Sequence, residues 1–248
     1  MCVAAFAWRA HPDWHLVAIG NRDEYHQRPA APLAHWKDRE GVIAGPDLQS
    51  GGTWLGVSEQ GQFVLVTNLR GYGQPDPSRK SRGELVTDLL TDQNQTLDMG
   101  SYNPFNIIHA SRDEARFLTN RPDHISANLS RGVYGLSNGQ LDEPWAKTVH
   151  LKTALFDWLW QSGSLSAPLF DALGSENLPS LGLQPRLPSD MPLEAQETPA
   201  FIRNPVYGTR CSTVVTVNKH GHGRILERRF DASGEKTGET ALEFSWPG

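Results

Sequence analysis

Apolar residues along this chain fall in short runs punctuated by Pro, Gly, Asn and Asp, a rhythm that predicts strands more often than helices. Residues Cys2–Trp8 form an apolar run and His15–Gly20 a second. The polar Ala10–Asp13 stretch between them, with its Pro, predicts a hairpin. Four polar residues, Asn21-Arg22-Asp23-Glu24, directly abut the second run and are followed by a Pro-rich loop through Pro32. Gly52–Val57 and Phe63–Leu69 flank Ser58–Gly61 and predict another hairpin. The first helix is expected at Ser81. Ser81 and Glu84 have capping-box spacing, and Leu85/Leu89 and Val86/Leu90 supply an apolar face. Strand patterns resume at Phe105–His109, Arg116–Leu118 and Val133–Ser137. A second helix is expected from Pro144 to Gly163, with Trp145, Val149, Phe156 and Leu159 at helical spacing. Residues Gly174–Pro199 carry clustered Pro and read as an irregular excursion. Cys211–Val217, Arg224–Phe230 and Ala241–Trp246 predict three closing strands. Strands that follow one another without intervening helices argue for antiparallel sheets, in one domain spanning residues 1–248.

Composition narrows the function. With 38% hydrophobic and 21% charged residues, the chain reads as an ordinary globular protein. A net charge of −5 argues against a nucleic-acid partner, which needs clustered Lys and Arg. The short basic runs Arg79–Lys80–Arg82 and Glu227–Arg228–Arg229 read as solvated surface. No apolar stretch approaches the ~20 residues of a membrane span, and the N-terminus lacks the features of a secretory signal. Two cysteines, Cys2 and Cys211, are too few for a disulfide framework, so a cytoplasmic location is expected. One disulfide between them stays open.

Cys2 is the chief reactive candidate. Removal of Met1, usual before a small residue, leaves a thiol and a free α-amine on one residue. The amine's pKa of roughly 8 lets it accept the thiol's proton near neutrality. A small buried residue in a first strand is the plainer alternative. In the polar tetrad, alternation puts Asn21 and Asp23 on one strand face and Arg22 and Glu24 on the other. An Arg beside a thiol lowers its pKa, and a carboxylate orients an ammonium.

A Met-Cys strand followed by Asn21-Arg22-Asp23-Glu24 resembles the NRDE family of transport and Golgi organisation 2-like proteins. The likeness continues in order through Gly51-Gly52-Thr53-Trp54-Leu55-Gly56, Thr67-Asn68, Arg82-Gly83-Glu84-Leu85-Val86, Phe105-Asn106, Tyr134-Gly135-Leu136-Ser137-Asn138, Pro144-Trp145 and Tyr207-Gly208-Thr209-Arg210. That family in turn resembles N-terminal-nucleophile (Ntn) hydrolases of the penicillin V acylase and bile salt hydrolase kind. The resemblance implies an α+β fold, a four-layer αββα sandwich with two stacked antiparallel sheets. It implies Cys2 as nucleophile, Arg22, Asp23 and Arg210 as its catalytic companions, and Asn68 and Asn138 as oxyanion or amine-orienting groups. A side-chain amide N–H aimed at an oxyanion is worth roughly 3 kcal/mol in the transition state. Asn21, Glu24 and Trp54 are the substrate-binding candidates. The acylases separate their Arg and Asp by two residues, whereas Arg22 and Asp23 are adjacent. Either Arg22 with Glu24 or Asn21 with Asp23 therefore faces the thiol.

Two functions follow. One is an amidohydrolase for a small non-peptide amide or acyl compound, needing no cofactor. The other is a non-enzymatic carrier using the same cleft for haem, in which the family is implicated, or for a fatty-acyl or acyl-CoA ligand. No haem-attachment motif is present. The glycines at 51, 52 and 56 lack the pattern of a phosphate loop and read as a tight turn. His220-Gly-His222 is too short for a metal site, and Trp145, Trp158 and Trp160 read as core. Loops such as Leu69–Pro77 and Ser175–Pro199 are expected to shape the pocket.

Overall fold

The computed structural model describes residues 2–92, 97–161, 163–177 and 198–247. Strand β1 (Cys2–Trp8) hairpins onto β2 (Trp14–Tyr25). β2 runs five residues past the apolar run, so Asn21–Glu24 lie inside a strand. β11 (Tyr207–Asn218) pairs with all four and β1 with Asn21 and Arg22, which holds polar residues extended in a place the sequence pattern assigns to a strand end.

β12 (His222–Phe230) and β13 (Lys236–Ser245) close the same sheet, and β10 (Gly132–Leu136) covers its other edge on β1. The strand order is β10-β1-β2-β11-β12-β13. A second sheet has the order β3-β4-β5-β6-β7-β8-β9. Its strands are β3 (Ala34–His35), β4 (Val42–Ala44), β5 (Leu55–Ser58), β6 (Gln62–Asn68), β7 (Phe105–Ala110), β8 (Ala115–Thr119) and β9 (Ile125–Asn128). Every pairing in both sheets is antiparallel.

Alternation along β1 builds the layers. Ala4, Phe6 and Trp8 turn toward the second sheet, where Phe6 stacks on Phe63 with ring centroids 5.7 Å apart. Val3, Ala5 and Ala7 turn the other way, onto Leu151, Leu155 and Leu159 of α2 (Ala146–Trp160) and onto α3 (Ala167–Leu173). Each fully buried side chain of this kind contributes roughly 1.5–3 kcal/mol. Helix α1 (Arg82–Thr91) packs on β4, β5 and β6, with Leu90 seated over Gly56 on the side of β5 opposite Val57. Two stacked antiparallel sheets between helices are therefore the architecture, as the motifs imply. Ser81 caps α1, accepting the Glu84 amide at 3.4 Å.

Helix α2 departs from its expected face. Its buried side runs through Lys147, Thr148, Leu151, Leu155, Trp158 and Leu159, while Phe156 and Trp160 point outward, 55% and 81% exposed. Of the helical tryptophans, only Trp145 and Trp158 are core. Most of the Gly174–Pro199 excursion lies outside the described residues, and α3 ends just before it. No described helix is long and apolar enough to cross a membrane.

Candidate functional site

Strand register assembles the site. Cys2 lies directly across from Arg22 in the β1–β2 ladder, and Arg22 directly across from Cys211 in the β2–β11 ladder. Directly opposed residues share a face, so the three form one row on the side turned to the second sheet. β2 separates the two cysteines by two strand spacings, roughly 10 Å, beyond disulfide reach, and both are free thiols. Cys211 is buried, and burial pushes its thiol far up. Cys2 is partly exposed and opens onto a cleft of about 640 Å³. Burial is also the largest influence on its thiol and raises its pKa; the Asp23 charge adds to the rise and Arg22 opposes it.

Arg22 and Glu24 face this cleft. Arg22 Nη2 donates to Asp47 Oδ2 at 2.7 Å and stands 3.9 Å from Glu24 Oε2. Arg28 Nε donates to the same Asp47 oxygen at 2.7 Å and lies 3.8 Å from Glu24. Burial pushes the Asp47 carboxyl up, but the Arg28 hydrogen bond and both guanidinium charges outweigh it and hold the pKa low. Arg22 Nη1 is buried and lacks a hydrogen-bond partner among the described residues.

Trp54 and Asn68 line the same cleft. The indole fits because residue 20 is glycine: a Cβ there would sit 3.1 Å from Trp54 Cη2 and 2.9 Å from the Val3 carbonyl. The turn that delivers Trp54 uses Gly52 at φ +72°, where a Cβ would collide with the Gly83 backbone at the start of α1.

The rim is basic. Arg79 and Lys80 are solvent-exposed, as the run's composition predicts, and with the half-buried Arg82 they also line the mouth of the cleft. With Arg22 and Arg28 they make five cations against four carboxylates, Asp23, Glu24, Asp47 and Asp76, in a chain of net charge −5. The Arg228–Arg229 run behaves differently, tied to Glu239 and Glu227 by ion pairs on the last strands.

The other face of β2 is closed. Asn21 is wholly buried: its Nδ2 donates to the Leu173 and Ala200 carbonyls at 2.8 and 2.7 Å, and its Oδ1 accepts from Ser212 Oγ at 2.6 Å. These bonds lie on the helix side of the sheet, away from the cleft lining in which Asn21 was expected, and fasten β2 and β11 to the α3 region. Asp23 is buried beside it, its Oδ1 accepting from Thr209 Oγ1 at 2.7 Å, although one edge of the residue reaches the cleft. Burial raises its pKa, opposed by Lys147, by the Thr209 bond and by Arg22.

Lys147 is the residue that sequence reasoning misses. It is fully buried on the inner face of α2, with Nζ donating to Thr198 Oγ1 at 3.0 Å. Burial pulls its pKa down to about 8, against the opposing charges of Asp23 and Cys2. Its one signal is position, the second residue of a helix whose neighbour in the next turn, Leu151, is core.

Two further candidates sit behind the cleft. Asn138 is fully buried and donates Nδ2 to the Asn68 carbonyl at 2.7 Å, holding the end of β6. Its Oδ1 has no partner among the described residues, so its spare atom is an acceptor. Arg210 donates Nη1 to the Tyr25 and Arg28 carbonyls, each at 2.9 Å, and clamps the chain that leaves β2. Arg210 thus supports the cleft from outside its lining.

A family model described as Transport and Golgi organisation 2 matches residues 1–232. The chain belongs to that family. The human Transport and Golgi organization protein 2 homolog is 31% identical over 258 aligned residues, covering 92% of each chain. The Drosophila melanogaster Transport and Golgi organization protein 2 is 26% identical, covering 95% of each. Among solved structures, the C2A mutant of a conjugated bile acid hydrolase from Clostridium perfringens superposes with a TM-score of 0.53 at 8% identity, covering 97% of this chain and 92% of that one. That likeness is one of fold, and it matches the Ntn-hydrolase-like sandwich.

Proposed function

We propose that this member of the Transport and Golgi organisation 2 family is an N-terminal cysteine amidohydrolase acting on a small non-peptide amide or acyl compound, with Cys2 as nucleophile once Met1 is removed. The observation that carries the reading is the Cys2 thiol, open to the cleft and directly across from Arg22. Because burial keeps this thiol protonated near neutrality, it needs a base close by, and the α-amine freed on the same residue supplies one. The fold shared with a bile acid hydrolase adds support at the level of architecture.

In this reading the sulfur attacks the acyl carbon as the α-amine takes the thiol proton. The Asn68 amide, which lines the cleft, and Arg22 Nη1, which has an unused donor, stabilise the oxyanion. Collapse breaks the C–N bond, and the ammonium returns its proton to the leaving amine. Water then hydrolyses the thioester, regenerating the thiol. Asn138 offers an acceptor and so orients the α-amine, leaving oxyanion stabilisation to Asn68. Asp23, with Lys147 behind it, sets the charge around that amine.

A carrier would use the same cleft. Haem fits it poorly: the lining residues include no His, Cys2 is their one sulfur, and nine of the 22 are charged where a porphyrin needs apolar surface. An acyl-CoA ligand is better matched to the basic rim.

Competitive labelling of the native protein with iodoacetamide tests the proposal. Cys2 is expected to react much faster than buried Cys211. Equal rates would remove Cys2 as the nucleophile.

A further inference from the structure

The end of β1 remote from Cys2 carries a surface of another kind. Phe156 and Trp160 project from the outer face of α2 with rings stacked 6.4 Å apart and 15° from parallel. Leu165, 71% exposed, follows just beyond the helix, and its carbonyl accepts Trp158 Nε1 at 2.8 Å, which fixes that turn to the core. Three large apolar side chains thus stand in water within ten residues of sequence, held by a rigid helix and its anchored end.

Basic residues flank them. A groove of about 660 Å³ between α2 and the β1–β2 turn is lined by Arg9, His11, Arg131, Lys152, Phe156 and Trp160. An adjoining groove adds Arg112 and Lys219, with Asp113 as its one carboxylate. Lys152 and Lys219 have carboxylate partners in Asp142 and Asp13. Arg9 and Arg112 donate to backbone carbonyls and make no ion pair among the described residues. This end is cationic although the whole chain carries −5.

We propose that this face docks on an anionic phospholipid surface, with Phe156, Trp160 and Leu165 entering the headgroup boundary while Arg9, Arg112 and Arg131 meet the phosphates. Stacked rings proud of a helix suit an interfacial anchor, because aromatic side chains favour the boundary between headgroups and acyl chains. The charge complementarity selects anionic lipid over a neutral surface. The arrangement also fixes orientation. Cys2 and Trp8 are opposite ends of one strand, roughly 20 Å apart, so a molecule docked through this end keeps the cleft away from the lipid. The proposal is independent of whether the cleft is catalytic.

Flotation of the full chain with phosphatidylcholine vesicles, with and without phosphatidylserine, tests it. The protein is expected to float only with vesicles containing phosphatidylserine, and the bound fraction to fall as salt rises. Arg131→Glu should lower partitioning at least about fivefold, the value of one basic residue at such a surface. Phe156→Ser/Trp160→Ser should lower it further. These side chains are exposed, so melting temperatures should match the wild type; Trp160→Gln alone replaces the double variant if that one unfolds. No flotation at low salt, or unchanged flotation of every variant, overturns the proposal. A wild-type dimer that becomes monomeric in the double variant assigns the face to a second copy and overturns it as well.

Discussion

The two faces of β2 carry the same tetrad to opposite ends. Arg22 and Glu24 turn to the cleft, where they share Arg28 and Asp47 in an ionic cluster beside Cys2. Asn21 and Asp23, one residue away, finish in a closed interior of hydrogen bonds to α3, β11 and the Ala200 segment, with Lys147 behind them. One face lines the cleft in a network of ion pairs; the other is buried in hydrogen bonds, with only an edge of Asp23 reaching the cleft. The difference teaches that a charged motif can be half chemistry and half fastening. The bond partners of each side chain separate the two halves.

The largest effect is expected on the sealed face. Asp23→Asn removes the carboxylate that opposes the buried Lys147 charge and should cost about 3–5 kcal/mol near neutral pH, the range for breaking a buried pair. In the fold Lys147 titrates near 8, below the 10.5 of a free lysine. Between those values the unfolded chain holds more protons than the folded one, so Lys147's contribution to stability rises with pH. Once Lys147 is neutral it no longer needs the Asp23 charge, and the penalty of Asp23→Asn should shrink above pH 8. Denaturant titrations on either side of that pH measure the change; a constant penalty would separate Lys147 from Asp23.

Asn21→Ala comes next. It deletes three hydrogen bonds and leaves two carbonyls and the Ser212 hydroxyl with lost partners, for about 3 kcal/mol. Thermal melting reports this loss, and Cys2 alkylation should be nearly unchanged. On the open face the pattern reverses. Arg22→Gln should cost only about 1–2 kcal/mol, since Arg28 still holds Asp47, yet slow Cys2 alkylation about tenfold near neutral pH. If both variants lost the same stability and left the thiol equally reactive, the contrast between the faces would disappear.

Much of the fold was legible. Apolar runs located β1, both hairpins and the three closing strands, and the Ser81–Glu84 spacing located α1 together with its cap. Period-two alternation separated Arg22 and Glu24 from Asn21 and Asp23. Which pair faced the thiol needed the β1–β2 register, because that register, Cys2 opposite Arg22, depends on the turn and on both sheets packing. Asp47, Arg28, Arg79 and Lys80 come to the cleft from loops, where sequence carries no period to read, and Arg82 comes from the first residue of α1. Lys147 was hidden for another reason: a lysine on an amphipathic helix is ordinarily solvated, and only the docking of α2 on β1 buries it. The same docking turned Phe156 and Trp160 outward.

The central claim is that one residue supplies both thiol and base. The most direct test is initial-rate hydrolysis of a panel of small acyl amides by the wild type and by a variant with one Ala inserted between Met1 and Cys2. The account predicts turnover by the wild type, accompanied by loss of Met1 in its intact mass. It predicts no turnover by the insertion variant at an unchanged melting temperature. Equal turnover by both, or a wild type that loses Met1 and hydrolyses none of the amides, would contradict it.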